Sequence, residues 1–415
     1  MKKFLLRHTT VPFHTEVLLP ASKSESNRAQ ILNALAGGTG SVTNLSEARD
    51  TQTMRRLLAE NGSVADVLDA GTTMRFLTAY FAISGQKKVM TGTARMQERP
   101  IGILVDALRE LGADISYQKN EGYPPLELNG FHYSGRPEIS MRGDVSSQFI
   151  SAIAMVAATL PEGLTINLTG ALGSIPYIEM TLQQMRHFGA KVSADWKARK
   201  IVVEAQPYHS ENFAVESDWS GASYWYSLVA LGPAGSEVEL LGLKENSLQG
   251  DSAIIDIMKQ LGVKSDYTGR GFRLTQIPTQ SVFEWDFTNC PDLAQTISVI
   301  AAAKGIPAVF TGIESLKVKE TDRVLAIQQE LRKFGADLIE TIPNERYRIN
   351  SEQANWNRPG TEIDTYDDHR MAMAFAPLAM CTDIVIENPE VVVKSYPRFW
   401  EDLSKILTIE EEATA

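Results

Sequence analysis

Residues 18–28 read Leu18-Leu19-Pro20-Ala21-Ser22-Lys23-Ser24-Glu25-Ser26-Asn27-Arg28. The apolar run Val17–Leu19 stops at Pro20, a hydroxyl-rich segment holding Lys23 and Arg28 follows, and a helix-like run begins at Ala29. Strand, Ser/Lys turn and helix in that order set backbone N–H groups, hydroxyls and cations at one helix N-terminus, which suits an anion. Ser and Asn also cap helices that bind nothing. What separates the two readings is whether the chain repeats the design.

It does. Ala59-Glu60-Asn61-Gly62, Arg109-Glu110-Leu111-Gly112, Arg186-His187-Phe188-Gly189, Lys259-Gln260-Leu261-Gly262 and Lys333-Phe334-Gly335 each close a helix-like run with glycine, the residue favoured at a left-handed cap. The last four glycines lie 77, 73 and 73 residues apart (112 to 189, 189 to 262, 262 to 335). Another such step ends just after the run Phe399–Leu407, so a sixth copy is predicted there. Apolar residues step at helical spacing before the caps, as in Val324, Ile327, Leu331 and Phe334.

A second landmark recurs between these helices. Asp69, Asp144, Asp218, Asp292 and Asp367 lead polar turns 75, 74, 74 and 75 residues apart. The last four turns each follow a strand-like run (Glu138–Met141, Phe213–Glu216, Val282–Phe287, Glu362–Thr365) and open an apolar helix. The repeating unit therefore reads strand-helix-strand-helix-strand-strand, six times: an α+β fold. From Gly62 to Asp69 is only 7 residues, against 32 from Gly112 to Asp144, so the first copy lacks a hairpin. A period near 74 exceeds that of solenoids, about 20–50 residues, which predicts small folded units gathered into two globules. A length of 415 residues points the same way.

Bulk composition narrows the partners. A formal charge of −11 argues against nucleic acid or an anionic membrane as a general partner, while leaving room for a local basic pocket. Cys290 and Cys381 stand far apart with no neighbouring Cys or His ligand pattern, which indicates neither a disulfide framework nor a zinc site. The apolar run before Arg7 is too short for a signal peptide, and Phe149–Leu160 and Met371–Cys381 are too short to span a bilayer. The expectation is a soluble cytoplasmic protein.

Several helix starts carry cations: Gly71-Thr72-Thr73-Met74-Arg75, Arg95–Pro100, Val318–Arg323 and Tyr366–Arg370. A cation there opposes the helix dipole at a cost of about 0.3–1 kcal/mol. One case is a solvated surface residue; several at equivalent places suggest an anionic ligand. Glu320 and Arg323 are spaced to pair on a helix, or Glu320 is held ready among cations for proton exchange. Asp292 reads as a helix cap or a general base. Ser146, Ser147 and Gln148 suit either a phosphate cradle or a capped helix. His369 reads as structural or supporting, and Trp219, Tyr224, Trp225 and Tyr226 as core.

Taken together, these stretches resemble the 5-enolpyruvylshikimate-3-phosphate (EPSP) synthase family. The residues that carry the resemblance are Pro20–Arg28, Ala70–Arg75, Arg95–Gly102, Val145–Phe149, Pro291-Asp292, Val318–Arg323 and Asp368–Ala372, in the family's order along nearly the whole chain. The resemblance implies one globule of residues 21–216 and another of residues 1–20 with 217–415, closing over ligands between them. It implies transfer of the enolpyruvyl group of phosphoenolpyruvate to the 5-hydroxyl of shikimate 3-phosphate with release of phosphate, needing no metal or organic cofactor. Separately from the resemblance, the expectation is a monomer.

By motif, Lys23, Ser24, Arg28, Ser146, Ser147, Gln148, Ser174, Tyr177, Asp292 and Lys319 would meet shikimate 3-phosphate. Lys23, Gly71, Arg99, Gln148, Arg323, Arg370 and Lys394 would meet phosphoenolpyruvate. Asp292 would take the hydroxyl proton and Glu320 would serve the methylene carbon, with Lys23 as a further proton-transfer group. The charge count agrees: phosphates at about −1.5 to −2 each plus two carboxylates bring roughly −5 to −6, which those cations offset.

This chain departs from the family pattern in several places. Asp69 stands where asparagine is usual, so an anion beside the phosphoenolpyruvate site needs a partner or a raised pKa. Phe76 replaces a proline, Ser315 replaces an asparagine, and the first repeat is short. The closest rival is the UDP-N-acetylglucosamine enolpyruvyl transferase family, whose catalytic loop carries cysteine or aspartate; residues 84–99 have neither. A binding relative without catalysis is the other alternative, opposed by the joint presence of Lys23, Asp292 and Glu320. Gly71, lacking a Cβ, leads us to expect sensitivity to glyphosate.

Overall fold

The computed structural model describes residues 2–412. The chain divides into two compact units, Ala21–Val215 and Met1–Pro20 with Glu216–Ala415. Among the described residues each unit holds three small sheets; five of the six have four strands and one has two.

The four-stranded sheets share one plan. Val64–Asp66 runs parallel to Lys88–Thr91, which pairs antiparallel with Leu126–Phe131, itself antiparallel to Ala113–Tyr117. The sheets built on Glu138–Arg142 with Leu164–Thr169 and on Phe283–Asp286 with Ala308–Thr311 repeat it. The strand-helix-strand-helix-strand-strand reading is therefore borne out. The exception is also as expected: Val42–Thr43 and Phe213–Ala214 form a parallel pair with no hairpin beside it.

Two features correct the reading from spacing. The run at Phe213 does not enter the sheet of Glu237–Leu241; His14–Leu18 takes that place, parallel to Glu237–Leu241, and Phe213–Ala214 pairs with Val42–Thr43 instead. Each run leads into a helix of the same kind, so period specifies what sort of strand it is and not which edge it joins. The sixth copy, likewise, is completed from the other end of the chain, where Lys3–Leu6 lies between Ile384–Glu387 and Ile409–Glu412. Gly62 is the second correction. Gly112 and Gly262 are left-handed caps with φ of 109° and 103°, whereas the helix Arg49–Ala59 ends at Glu60 in extended backbone. Without a hairpin to turn into, the chain runs straight on to Val64–Asp66 and needs no reversal.

In four of the repeats the first helix is apolar on nearly every side and lies inside its unit, as such a helix must. Ser147–Ala157, Gly71–Ile83, Trp219–Leu231 and Ala294–Ala303 are almost wholly buried. Trp219, Tyr224, Trp225 and Tyr226 pack in the core, as read. The second helices, such as Gly102–Leu111 and Arg323–Arg332, bury one face only.

This plan positions the functional side chains. Each helix begins where a strand of a parallel pair has just ended, so the helix N-termini of one unit gather at the carboxyl ends of those strands. Lys23 follows His14–Leu18, Gly71 follows Val64–Asp66, and Arg99 follows Lys88–Thr91. Asp292 follows Phe283–Asp286, Arg323 follows Ala308–Thr311, Arg370 follows Thr361–Ile363, and Lys394 follows Ile384–Glu387. Exposed backbone N–H groups and the positive helix ends add to their field.

Candidate active site

In the unit holding Glu216–Ala415, Arg323 is the organising cation. It is the first residue of the helix Arg323–Arg332, whose cap is Asp322 through a 3.0 Å bond from the Leu325 N–H. Its guanidinium is 2% exposed and meets three carboxylates. Nε donates to Asp368 at 2.6 Å, Nη1 to Asp292 at 3.1 Å and Nη2 to Glu320 at 2.9 Å. Burial opposes its charge, but Asp368, Glu320 and Asp292 together raise its pKa.

Asp292 lies in the short turn Pro291–Leu293 and makes no capping bond there. It accepts from Arg370 Nη2 at 2.9 Å and Arg323 Nη1 at 3.1 Å, with Lys319 Nζ 3.6 Å away. Burial pushes this carboxyl up; Arg370, Lys319 and Arg323 overcome that and hold it well below the usual range. Glu320 bridges two cations, Arg323 at 2.9 Å and Lys394 Nζ at 3.3 Å. It therefore both pairs with Arg323 and sits among cations, so the two readings of Glu320 describe one arrangement. Lys394 is 1% exposed, at the end of the turn Pro389–Lys394. Asp292, Lys319, Glu320, Arg323, Arg370 and Lys394 are thus one connected ion network. His369 is buried beside Asp368, consistent with a supporting role.

The unit Ala21–Val215 is arranged differently. The helix Lys23–Leu35 starts earlier than the apolar run suggested, capped by Ser22, so Lys23, Ser24 and Arg28 lie on its first turns. Lys23 Nζ is 3.2 Å from Asp50 Oδ2, while Asp50 Oδ1 is buried without a hydrogen-bond partner. Arg28 is buried, and its hydrogen-bond partners are neutral, with the Glu25 carboxylate acting on it through space. Nε donates to Thr181 Oγ1 at 2.6 Å, Nη1 to the Ser24 carbonyl at 3.0 Å and Nη2 to the Tyr177 carbonyl at 3.3 Å. Its guanidinium lies 5.3 Å from the centre of the Phe76 ring. Burial lowers its pKa to about 10. A guanidinium has five N–H donors, so these three bonds leave capacity for a ligand.

Gly71 opens the helix Gly71–Ile83. A Cβ there would stand 2.5 Å from Arg75 Nη1 and 2.8 Å from Arg99 Nη1, so glycine lets two guanidinium groups approach the backbone. Gln148 Nε2 donates to Thr72 Oγ1 at 3.2 Å, tying the start of Ser147–Ala157 to that of Gly71–Ile83. Ser146 caps its helix, accepting from the Gln148 N–H at 3.4 Å, and Ser147 is buried behind it. Ser174 precedes Ile175–His187 in a left-handed conformation with φ of 54°. Asp69 has its partner: Arg49 Nη2 donates to both its oxygens, at 3.0 and 2.9 Å. Phe76 continues its helix without interruption and is buried. Ser315 is exposed in the turn Glu314–Val318.

Three residues that matter here escaped the sequence reading of roles. Asp368 had a signal, since it stands in a recurring acidic turn two residues before Arg370. Arg75 had one too, sharing a cationic helix start with Gly71. Asp50 had none: Arg49-Asp50-Thr51 is an ordinary helix start, and only folding brings Asp50 to Lys23.

The family model described as EPSP synthase (3-phosphoshikimate 1-carboxyvinyltransferase) matches residues 8–69 and 55–403. A 3-phosphoshikimate 1-carboxyvinyltransferase of Bacteroides fragilis is 48% identical over 398 residues, covering 94% of each chain. One from a Sulfurovum species is 38% identical over 94% of this chain and 96% of its own. A solved structure of an EPSP synthase from Acinetobacter baumannii superposes with a TM-score of 0.76 at 24% identity, covering 100% of both chains.

Proposed function

The chain belongs to the EPSP synthase family, and we propose that it transfers the enolpyruvyl group of phosphoenolpyruvate to the 5-hydroxyl of shikimate 3-phosphate, releasing phosphate. The observation that carries this reading is the network in which Asp292 and Glu320, two carboxylates suited to proton transfer, share Arg323 while Arg370 and Lys394 flank them. A carboxylate pair set among cations fits a reaction that moves protons on polyanionic substrates. The name carried by the matching relatives favours shikimate 3-phosphate over a UDP-sugar acceptor.

The residues divide the work. Lys23, Gly71, Arg99, Gln148, Arg323, Arg370 and Lys394 bind phosphoenolpyruvate. Lys23, Ser24, Arg28, Ser146, Ser147, Gln148, Ser174, Tyr177, Asp292 and Lys319 bind shikimate 3-phosphate. The units Ala21–Val215 and Met1–Pro20 with Glu216–Ala415 act as the two globules of the family.

Glu320, with Lys23 as the alternative donor, supplies a proton to the methylene carbon of phosphoenolpyruvate. The 5-oxygen then bonds to the enol carbon as its proton passes to Asp292. In the second stage the C–O bond to phosphate breaks, the methyl group returns a proton to Glu320, and phosphate leaves with the proton from Asp292.

Charge relations support this order. In the free protein Asp292 is a weak base, because Arg370, Lys319 and Arg323 stabilise its ionised form. Anionic substrates that draw on these cations weaken that stabilisation, so Asp292 becomes more basic when the hydroxyl is in place. A base tuned toward the working pH is the more effective catalyst.

The test is phosphate release from phosphoenolpyruvate with shikimate 3-phosphate or UDP-N-acetylglucosamine as acceptor. Release is expected with the first alone. Release with the second overturns the acceptor assignment, and no release with either favours a binding protein. We also read the chain as a cytoplasmic monomer. Among the described residues no helix is long and apolar enough to cross a membrane, and light scattering on the eluting protein tests the monomer.

A further inference from the structure

Behind Arg370 lies a second set of polar contacts that the proposed reaction does not use. Arg370 Nη2 faces the Ser220 hydroxyl at 3.4 Å as well as Asp292 at 2.9 Å, and Nη1 faces the Tyr224 hydroxyl at 3.3 Å. Ser220 in turn donates to Oδ2 of Asp251, a carboxylate 1% exposed in the turn Gly250–Ala253. That turn is pinned to the start of the helix Trp219–Leu231. Gln249, just before it, accepts from the Trp219 N–H at 3.0 Å and donates to the Ser217 carbonyl at 2.8 Å.

The direction of these bonds is fixed by chemistry. An ionised carboxylate only accepts and a guanidinium only donates, whereas a hydroxyl has one proton and two lone pairs. The Ser220 proton must therefore point at Asp251, which turns a lone pair toward Arg370. Without Asp251 the hydroxyl is free to rotate its proton toward the cation.

We propose that Asp251, acting through Ser220, is a positioning residue for Arg370. The relay gives the guanidinium an anchor that stays in place when phosphoenolpyruvate draws it away from Asp292. The inference rests on the phosphoenolpyruvate-binding role proposed for Arg370. Electrostatics agree with the geometry: burial disfavours the Arg370 charge, but Asp292, Tyr224, Asp251 and Asp218 outweigh it and raise its pKa.

Steady-state kinetics on Ser220→Ala, Ser220→Thr and Asp251→Asn, each with a thermal melt, test the relay. A hydrogen bond to a charged group is worth enough that Ser220→Ala should raise KM for phosphoenolpyruvate about 5–10-fold. KM for shikimate 3-phosphate should stay within about twofold, and kcat should fall less than KM rises. Asp251→Asn should follow Ser220→Ala, because an amide can donate to Ser220 and turn its proton toward Arg370. Ser220→Thr, which keeps the hydroxyl, should restore the wild-type KM. An unchanged KM for phosphoenolpyruvate in Ser220→Ala, an equal rise for both substrates, or no rescue by threonine overturns the relay. Failure of the underlying reading leaves a different mark: wild-type protein that releases no phosphate with shikimate 3-phosphate at all.

Discussion

Arg28 and Arg323 are buried to the same degree, 2% exposed, and lie on the first turns of helices that follow parallel strands. Their surroundings are opposite. Arg28 meets carbonyls, a hydroxyl and an aromatic ring, and burial lowers its pKa. Arg323 meets Asp292, Glu320 and Asp368, and its pKa rises. Desolvation acts on both; the three carboxylates hydrogen-bonded to Arg323 overcome it, whereas the weaker pull of Glu25 on Arg28 does not. A cation kept charged by neutral groups gains most when an anion arrives. A cation already shared among carboxylates instead sets how strongly each of them holds a proton. On the proposed function, the contrast separates a binding arginine from one that tunes proton transfer.

The sharpest test of the Arg323 side is Glu320→Gln, which keeps shape and removes the proposed proton exchanger. Loss of general acid–base catalysis predicts a fall in kcat of about 10²–10⁴-fold, with both ligands still bound in calorimetry. Lost binding would make Glu320 structural and remove the contrast. Next in size is stability. Arg323→Met takes the buried cation from Asp368 and removes the one shared by Asp292 and Glu320, and should cost about 3–5 kcal/mol, read by urea unfolding. Arg28→Met breaks no hydrogen bond to a carboxylate and should cost about 1 kcal/mol, while weakening shikimate 3-phosphate. Equal destabilisation by the two variants would show that the neutral surroundings of Arg28 do not matter.

A smaller effect is expected from Gly71→Ala. Its Cβ would displace the Arg75 and Arg99 guanidinium groups, and a shift of charged hydrogen-bond donors should raise KM for phosphoenolpyruvate about 10-fold. Glyphosate inhibition, if competitive with phosphoenolpyruvate, should weaken in parallel; a change in KM for shikimate 3-phosphate instead would misplace the glycine. The smallest effect concerns pH. Asp292 has its carboxyl depressed below its ordinary value of 3.8, so its stabilising contribution is fully present above that value and is lost as pH falls through the lower folded value. The stability difference between wild type and Asp292→Asn should stay flat from about pH 5 to 8 and shrink only in stronger acid. Shrinkage beginning near pH 6 would show that the three cations do not hold Asp292 as described.

Much of the architecture is legible in the chain. The recurring glycines and acidic turns predict the order of strands and helices, and Phe149, Trp219 and Tyr224 announce helices buried on every side. The cations at Lys23, Arg99, Arg323 and Arg370 are visible because each interrupts that pattern at an equivalent place. The hairpin missing after Gly62 is visible as a shortened interval. What neighbouring residues impose on one another, including helical period, caps and strand alternation, is written locally, so the sequence by itself determined it.

Tertiary structure decided the pairings. It sent His14–Leu18 and Phe213–Ala214 to each other's expected sheets and closed the last sheet with Lys3–Leu6. It matched Lys23 with Asp50, 27 residues away, Arg323 with Asp368, 45 away, and Arg370 with Asp292, 78 away. Such partners depend on which helix starts packing brings side by side, and a long loop closes at almost the same entropic cost around one partner as another. Spacing along the chain therefore marks where the charges stand, and the packed core decides which of them meet.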